Sequence, residues 1–186
     1  MDTTGEQSDI RGLIDRIRDG KGSFEELIKT YQKPVWNTVY RILNNYHNTE
    51  EVVQDTFVRI YAKLDLYNPK YPFISWIRKI AVNQAFQLLR NKKKSSGLIS
   101  ALFRAGSRSR TEPVPSHVDE KVAEIHTFLD TLKPSYRTAF SLYYFDNMPI
   151  DEISYTMGRK KEAVKSLIYR ARDSIRQHLG EKGAAI

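Results

Sequence analysis

"MPIDEISYTMGRKKEAVKSLIYRARDSIRQHL", residues 148–179, is the stretch on which the reading of this chain turns. Pro149 suits the first position of a helix, where an amide would lack a partner anyway. Ile150, Ile153 and Met157 recur at helical spacing, and the run stops at Gly158. The chain must reverse there, and glycine best tolerates the left-handed backbone of a sharp stop. A longer helix follows over roughly 161–178, with Val164, Ile168 and Ile175 facing inward. A short helix, a glycine turn and a longer basic helix make the helix-turn-helix pattern. Ser154 is small enough to let the two helices approach. In this motif the second helix enters the DNA major groove. Lys160, Lys161, Lys165, Ser166, Tyr169 and Arg170 are the candidates for its outward side. Lysine and arginine reach guanine edges or phosphates, and tyrosine packs on sugars or base methyls. Taken alone, a turn glycine and a basic helix also fit a hairpin with no nucleic-acid role.

Working outward, Val122, Ile125, Leu129 and Leu132 predict a helix that ends before Pro134, and 136–145 predicts another. Residues 118–186 thus read as one small helical domain. Before it lies "SSGLISALFRAGSRSRTEPVPSH" (95–117), rich in Ser, Gly, Arg and Pro and without a sustained period. It is expected to be a flexible basic linker. Residues 1–94 form the other domain. Phe24, Leu27, Ile28 and Tyr31 start a helical stripe that Val35, Val39, Ile42 and Leu43 continue, with Pro34 ending one helix or opening the next. Asn48 with Glu51 fits a capping box. Val53, Phe57, Ile60, Tyr61 and Leu64 then mark an apolar face, opposite Glu51, Gln54 and Asp55. After two prolines a further helix starts near Ile74. The expected fold class is all-α, two small helical domains joined by a flexible linker.

Composition narrows the function. The chain has 186 residues, 40% of them hydrophobic, and no cysteine. That allows packed cores and excludes disulfides, thiolate nucleophiles and cysteine-bound metal. The N-terminus lacks the apolar run of a signal peptide, and no segment approaches the ~20 apolar residues of a membrane span. A cytoplasmic location is expected. The net charge is +8 and unevenly spread. Residues 90–111 hold seven basic residues and no acid, and residues 158–176 hold seven against two acids. Two basic zones on an otherwise mildly acidic chain suit a polyanion held at two places.

The first zone closes the stretch "KYPFISWIRKIAVNQAFQLLRNKKK" (70–94). Phe73, Trp76, Ile77 and Ile80 fall at i, i+3, i+4 and i+7, so Trp76 is expected in the core rather than as a stacking platform. The lysines and Arg90 could be a solvated helix end or a grip on phosphates.

Residues 129–179 resemble region 4 of bacterial extracytoplasmic-function sigma factors, "NTEEVVQDTFVRIYAKLDLY" (48–67) resembles region 2.2, and "FISWIRKIAVNQAFQLLRNKKK" (73–94) resembles regions 2.3 and 2.4. Both halves occur in the family's order, from about Ser23 to Leu179. The resemblance implies a subunit that binds RNA polymerase core, recognises promoter −35 and −10 elements and promotes −10 melting. It implies core binding by Glu51, Gln54, Asp55 and Arg59, whose polar groups can pair with a basic partner. It implies −10 single-strand contacts by Lys79, Ala81, Val82, Asn83, Arg90, Lys92, Lys93 and Lys94. A turn at Ala81–Asn83 would hold a flipped-out base, whose lost stacking and pairing a pocket must replace. Asn83 can both donate to and accept from a base edge. The helix-turn-helix residues would read the −35 duplex, and an anti-sigma factor is an expected partner. No cofactor and no small-molecule substrate are implied. Glu162-Ala163 stands where the family usually has Gly-Thr, and Leu167 where an arginine is common, so the −35 contact expected there is left open.

Other classes fit less well. His47, His117, His126 and His178 show no metal-ligand spacing, and neither H-E-x-x-H nor G-x-S-x-G occurs. "DGKGS" (19–23) lacks the first glycine and the hydroxyl residue of a phosphate loop. An enzyme is therefore not expected. The alternative is a helix-turn-helix repressor or activator that acts without being a polymerase subunit.

Overall fold

The computed structural model describes the backbone of residues 3–99 and 128–180, and side chains within 10–93 and 128–180. All regular elements among these residues are helices. The first domain contains α1 (Thr3–Arg18), α2 (Phe24–Leu43), α3 (Tyr46–Lys63), a 3-10 turn at Leu64–Leu66, and α4 (Phe73–Ile99). The second contains α5 (Pro134–Tyr144), α6 (Ile150–Met157) and α7 (Lys161–Gly180).

In α2 the alternatives at Pro34 are resolved by continuity, since the helix runs through it. A proline inside a helix forfeits a hydrogen bond and costs about 3 kcal/mol. Here Leu27, Tyr31, Val35, Thr38, Val39 and Ile42 all bury on one side of the uninterrupted helix, and that burial outweighs the loss. Ser23 caps its start by accepting from the Glu25 amide at 3.2 Å.

The predicted Asn48–Glu51 box is replaced by a cap three residues earlier. The Asn45 side chain accepts from the Asn48 amide at 2.9 Å, and α3 begins at Tyr46. Val53, Phe57, Ile60 and Leu64 are buried as the spacing predicted, but Tyr61 is 65% exposed. Tyr61 follows Ile60 by one residue, which turns it off the buried stripe. It leans edge-on against Phe24 instead, with ring centroids 5.1 Å apart.

Trp76 is buried, as expected, beside Phe73 and Ile77. Its ring stacks on Phe73 at 5.5 Å, and Tyr67 packs on both rings. The N-terminal helix α1 was not foreseen. It buries Ile10 and Ile14 and is tied down by Arg18, which donates to the Leu64 carbonyl at 3.0 Å. The helix α4 continues to Ile99, so residues 95–99 belong to it rather than to the expected linker. The rest of that linker, with the Val122–Ile125 part of the next predicted helix, lies outside the described residues.

In the second domain Leu142, Met148, Ile153, Met157, Val164 and Ile168 form one buried group, and Leu129, Phe140, Ala171, Ile175 and Leu179 form another. The two domains meet along a seam between α2 and α4 on one side and α5 and α6 on the other. Phe86 of α4 packs against the second domain's core, and Tyr155 of α6 against the first's.

Ile77 is fully buried in α4, a helix that packs against both α2 and α3. Ile77→Ala is expected to lower stability by about 2–5 kcal/mol, read as a shift of the urea midpoint with an unchanged slope.

Candidate nucleic-acid interface

The helix-turn-helix forms as its sequence dictates. Gly158 adopts φ 61°, ψ 38° at the end of α6. The Arg159 amide closes the turn on the Ser154 carbonyl at 3.0 Å, and the Ser154 hydroxyl donates to the Arg159 carbonyl. The small residue at 154 thus fixes the turn as well as permitting close approach. Pro149 sits one position before its expected place, as the cap preceding Ile150.

Lys160, Lys161, Lys165, Ser166, Tyr169 and Arg170 are all exposed, but the structure divides them. Lys165 and Tyr169 line a shallow groove of about 300 Å³ with Arg172, Ile168, Ile150, Tyr143 and Tyr144. The Arg172 guanidinium lies 5.7 Å from the Tyr169 ring centroid. Arg172 and the two α5 tyrosines were missed, although Arg172 follows Lys165 by seven residues, two full turns along one face. Lys161 instead pairs with Asp151 at 2.7 Å, and that hydrogen bond holds its ammonium more firmly protonated than usual. Arg170 donates to the Tyr136 hydroxyl at 3.3 Å, which lowers the phenol's pKa. Ser166 donates to the Glu162 carbonyl within its own helix.

The −10 candidates sit on α4, and here one expectation is corrected. There is no turn at Ala81–Asn83, because α4 is continuous from Phe73 to Ile99. Ala81 and Val82 are fully buried. They present no side chain to a ligand, since the helix spends those positions on packing. Asn83 is exposed, as are Arg90, Lys92 and Lys93, and Lys79 is half-buried. Helical register puts Lys79, Asn83, Arg90 and Lys93 along one stripe. Lys92 falls on another side, where it donates to Asn48 of α3 at 2.7 Å. The side chain of Lys94 lies outside the described residues.

On α3, Glu51, Gln54, Asp55 and Arg59 are exposed as expected. Among them stand Val58, 69% exposed, and Tyr61. Sequence periodicity did not flag Val58, and it assigned Tyr61 to the core. They are the apolar residues of an otherwise polar face. Among the described residues, no group of three or more His, Asp or Glu is placed to hold a metal ion.

This arrangement defines an all-helical, two-domain DNA-binding protein with one basic stripe on each domain. Two families of known proteins match it: Sigma-70 region 2 over residues 27–95 and Sigma-70 region 4 over residues 123–175. The sigma factor SigE of Mycolicibacterium smegmatis is 29% identical over 163 residues, spanning 86% of this chain and 62% of that protein. SigW of Bacillus subtilis is 26% identical over 182 residues, spanning 91% of this chain and 96% of that one. Among solved structures, the Bartonella quintana sigma factor RpoE, bound to the anti-sigma factor NepR, shares the fold with a TM-score of 0.72. It is 17% identical, and the match covers 84% of this chain and 96% of that one. The chain belongs to the extracytoplasmic-function family of RNA polymerase sigma factors.

Gly158 has the left-handed φ that a β-carbon disfavours. Gly158→Ala is expected to cost about 1 kcal/mol of stability and to weaken −35 duplex binding by loosening the angle between α6 and α7. Thermal unfolding and fluorescence anisotropy check the two effects separately.

Proposed function

We propose that this protein associates with RNA polymerase core, reads the −35 duplex with α7 and the unpaired −10 strand with α4, and thereby directs promoter opening. The observation that carries this reading is the pairing of two sigma-type domains in one chain, each with an exposed basic stripe. A protein that only represses or activates from a DNA site would have no use for the second stripe, so that alternative is not favoured. The role is that of an initiation factor, without catalysis of its own. Among the described residues no helix is long and apolar enough to cross a membrane, and action on promoters supports a cytoplasmic location. The company kept by the Bartonella relative supports an anti-sigma factor as a further partner.

Residue roles follow from exposure and chemistry. On α3, Glu51, Gln54, Asp55 and Arg59 surround Val58 and Tyr61, so polymerase would meet a mixed face with an apolar centre. On α4, Asn83 offers both hydrogen-bonding senses to a base edge, while Arg90 and Lys93 lie along the same stripe for phosphates. On α7, Lys165, Tyr169 and Arg172 form the continuous part of the −35 surface. Lys160 extends it toward the helix N-terminus. Lys161 and Arg170 must first exchange their present partners.

With purified core enzyme, the chain is expected to start transcription from a template carrying its own −35 and −10 elements. Failure to bind core would refute the reading, and tight duplex binding with no need for core would favour the repressor. Two substitutions separate the domains. Asn83→Ala should slow open-complex formation, seen by permanganate footprinting, with −35 binding intact. Lys165→Ala should weaken −35 duplex binding by about 1–3 kcal/mol and relax its base preference.

A further inference from the structure

Among the described residues, two side-chain hydrogen bonds join α3 to α4, and both fall on one alignment of the two helices. The inner one runs from the Gln84 amide of α4 to the Thr56 hydroxyl of α3 at 2.9 Å. Thr56 is fully buried and Gln84 is 8% exposed. The Thr56 hydroxyl itself donates to the Val52 carbonyl of its own helix at 2.6 Å. Its proton is committed there, so toward α4 it can only accept, and the residue opposite must bring an N–H. Glutamine supplies one, whereas its buried neighbours Ala81, Val82 and Ala85 have no polar side chain to offer. The outer bond runs from Lys92 of α4 to the Asn48 side chain of α3 at 2.7 Å.

Gln84 to Lys92 is eight residues along α4, and Thr56 back to Asn48 is eight residues along α3. Two antiparallel helices of equal rise satisfy both pairs in one alignment, and a slide by a single residue breaks both. The bonds stand about 12 Å apart along the axes, so together they fix slide and tilt. The apolar groups of the same core, Val53, Phe57 and Ala81 among them, attract without direction. A buried polar pair adds what they lack, a geometry in which its polar atoms are satisfied.

We infer that Gln84, with Lys92 as an outer pin, is a positioning residue that registers the −10 stripe of α4 on the polymerase-docking face of α3. The inference rests on the reading of those two surfaces. Gln84 directly follows Asn83, and Thr56 directly follows Asp55. One buried bond thus ties the residue offered to a base to the residue offered to polymerase. A slide by one residue would carry Asn83 about 1.5 Å along the axis, beyond the ~0.5 Å within which a binding constellation works. Neither surface would be damaged by that slide. Each would still bind its own partner, and only their simultaneous engagement would suffer. Lys92 acquires a role as well, because it spends its ammonium on α3 rather than on the stripe of Asn83, Arg90 and Lys93.

The test compares the parts with the whole in the full chain. Thr56→Val/Gln84→Leu replaces both buried partners by apolar side chains of similar shape, so no polar group is left unpaired. Affinity for core enzyme, and affinity of the free chain for a −10 non-template oligonucleotide, should both stay unchanged. Open-complex formation by the reconstituted holoenzyme should slow about fivefold, the loss expected when about one molecule in five holds the competent alignment. Thr56→Ser keeps the hydroxyl and should open promoters at the parental rate. Asn48→Ala removes only the outer pin and should slow opening about twofold, since an exposed bond contributes less than a buried one; it keeps the test decisive if the double variant folds poorly by circular dichroism. Spin labels at Lys63→Cys and Gln87→Cys, exposed positions in a chain with no cysteine of its own, read the alignment directly. The parent should give one distance and the double variant a shifted or broadened one. Opening at the parental rate in both pin variants would overturn the positioning role and leave the sigma reading standing. So would an equal loss in either separate affinity, the mark of a damaged surface, or slower opening with an unchanged label distance. A parent that fails to bind core would overturn both.

Discussion

A helix has one circumference, and α4 divides its own among three neighbours. One side carries Phe73, Trp76, Ile77 and Ala81 into the core of the first domain. A second carries Ser75 and Arg78 toward α6 and the turn before it. What remains is the narrow stripe of Lys79, Asn83 and Arg90. This allocation explains why Ala81 and Val82 cannot be a base pocket: packing had already taken those positions. It also explains why this stripe and the domain seam adjoin. With 3.6 residues per turn, a residue four along from another cannot be placed far from it around the axis.

Much of the fold was legible because burial enforces periodicity. The apolar repeats of α2, α3 and α4, the glycine stop at 158 and the outward charges of α7 all appear in the sequence as spacing. The misreadings have physical causes too. Proline at 34 is a strong local signal, yet one buried stripe that continues before and after it overrode it. Two asparagines three residues apart, Asn45 and Asn48, could each cap α3, and only the path of the preceding chain selects the first. Tyr61 and Val58 show the limit of apolarity as a guide, since both are apolar and both stand exposed. The seam was illegible in principle. Arg41, Arg78 and Asp146 are far apart in sequence and each resembles an ordinary surface charge until the domains meet.

That meeting is energetically unlike the two cores. The cores are held by non-directional burial of Leu, Ile, Val and aromatic groups, which tolerates small shifts. The seam adds to the packing of Phe86 and Tyr155 a set of directed contacts between charges and hydroxyls, which are lost together when the geometry changes.

Arg137 gives this a further consequence. From α5 it donates to the Ile42 carbonyl at 2.8 Å, one of the last carbonyls of α2, and its charge sits where the helix dipole is negative. The second domain therefore finishes a helix that belongs to the first. When the domains separate, the final turn of α2 loses that guanidinium and must satisfy its carbonyl with water. The backbone amides of that turn then report, by how fast they exchange with deuterium, whether the neighbouring domain is present.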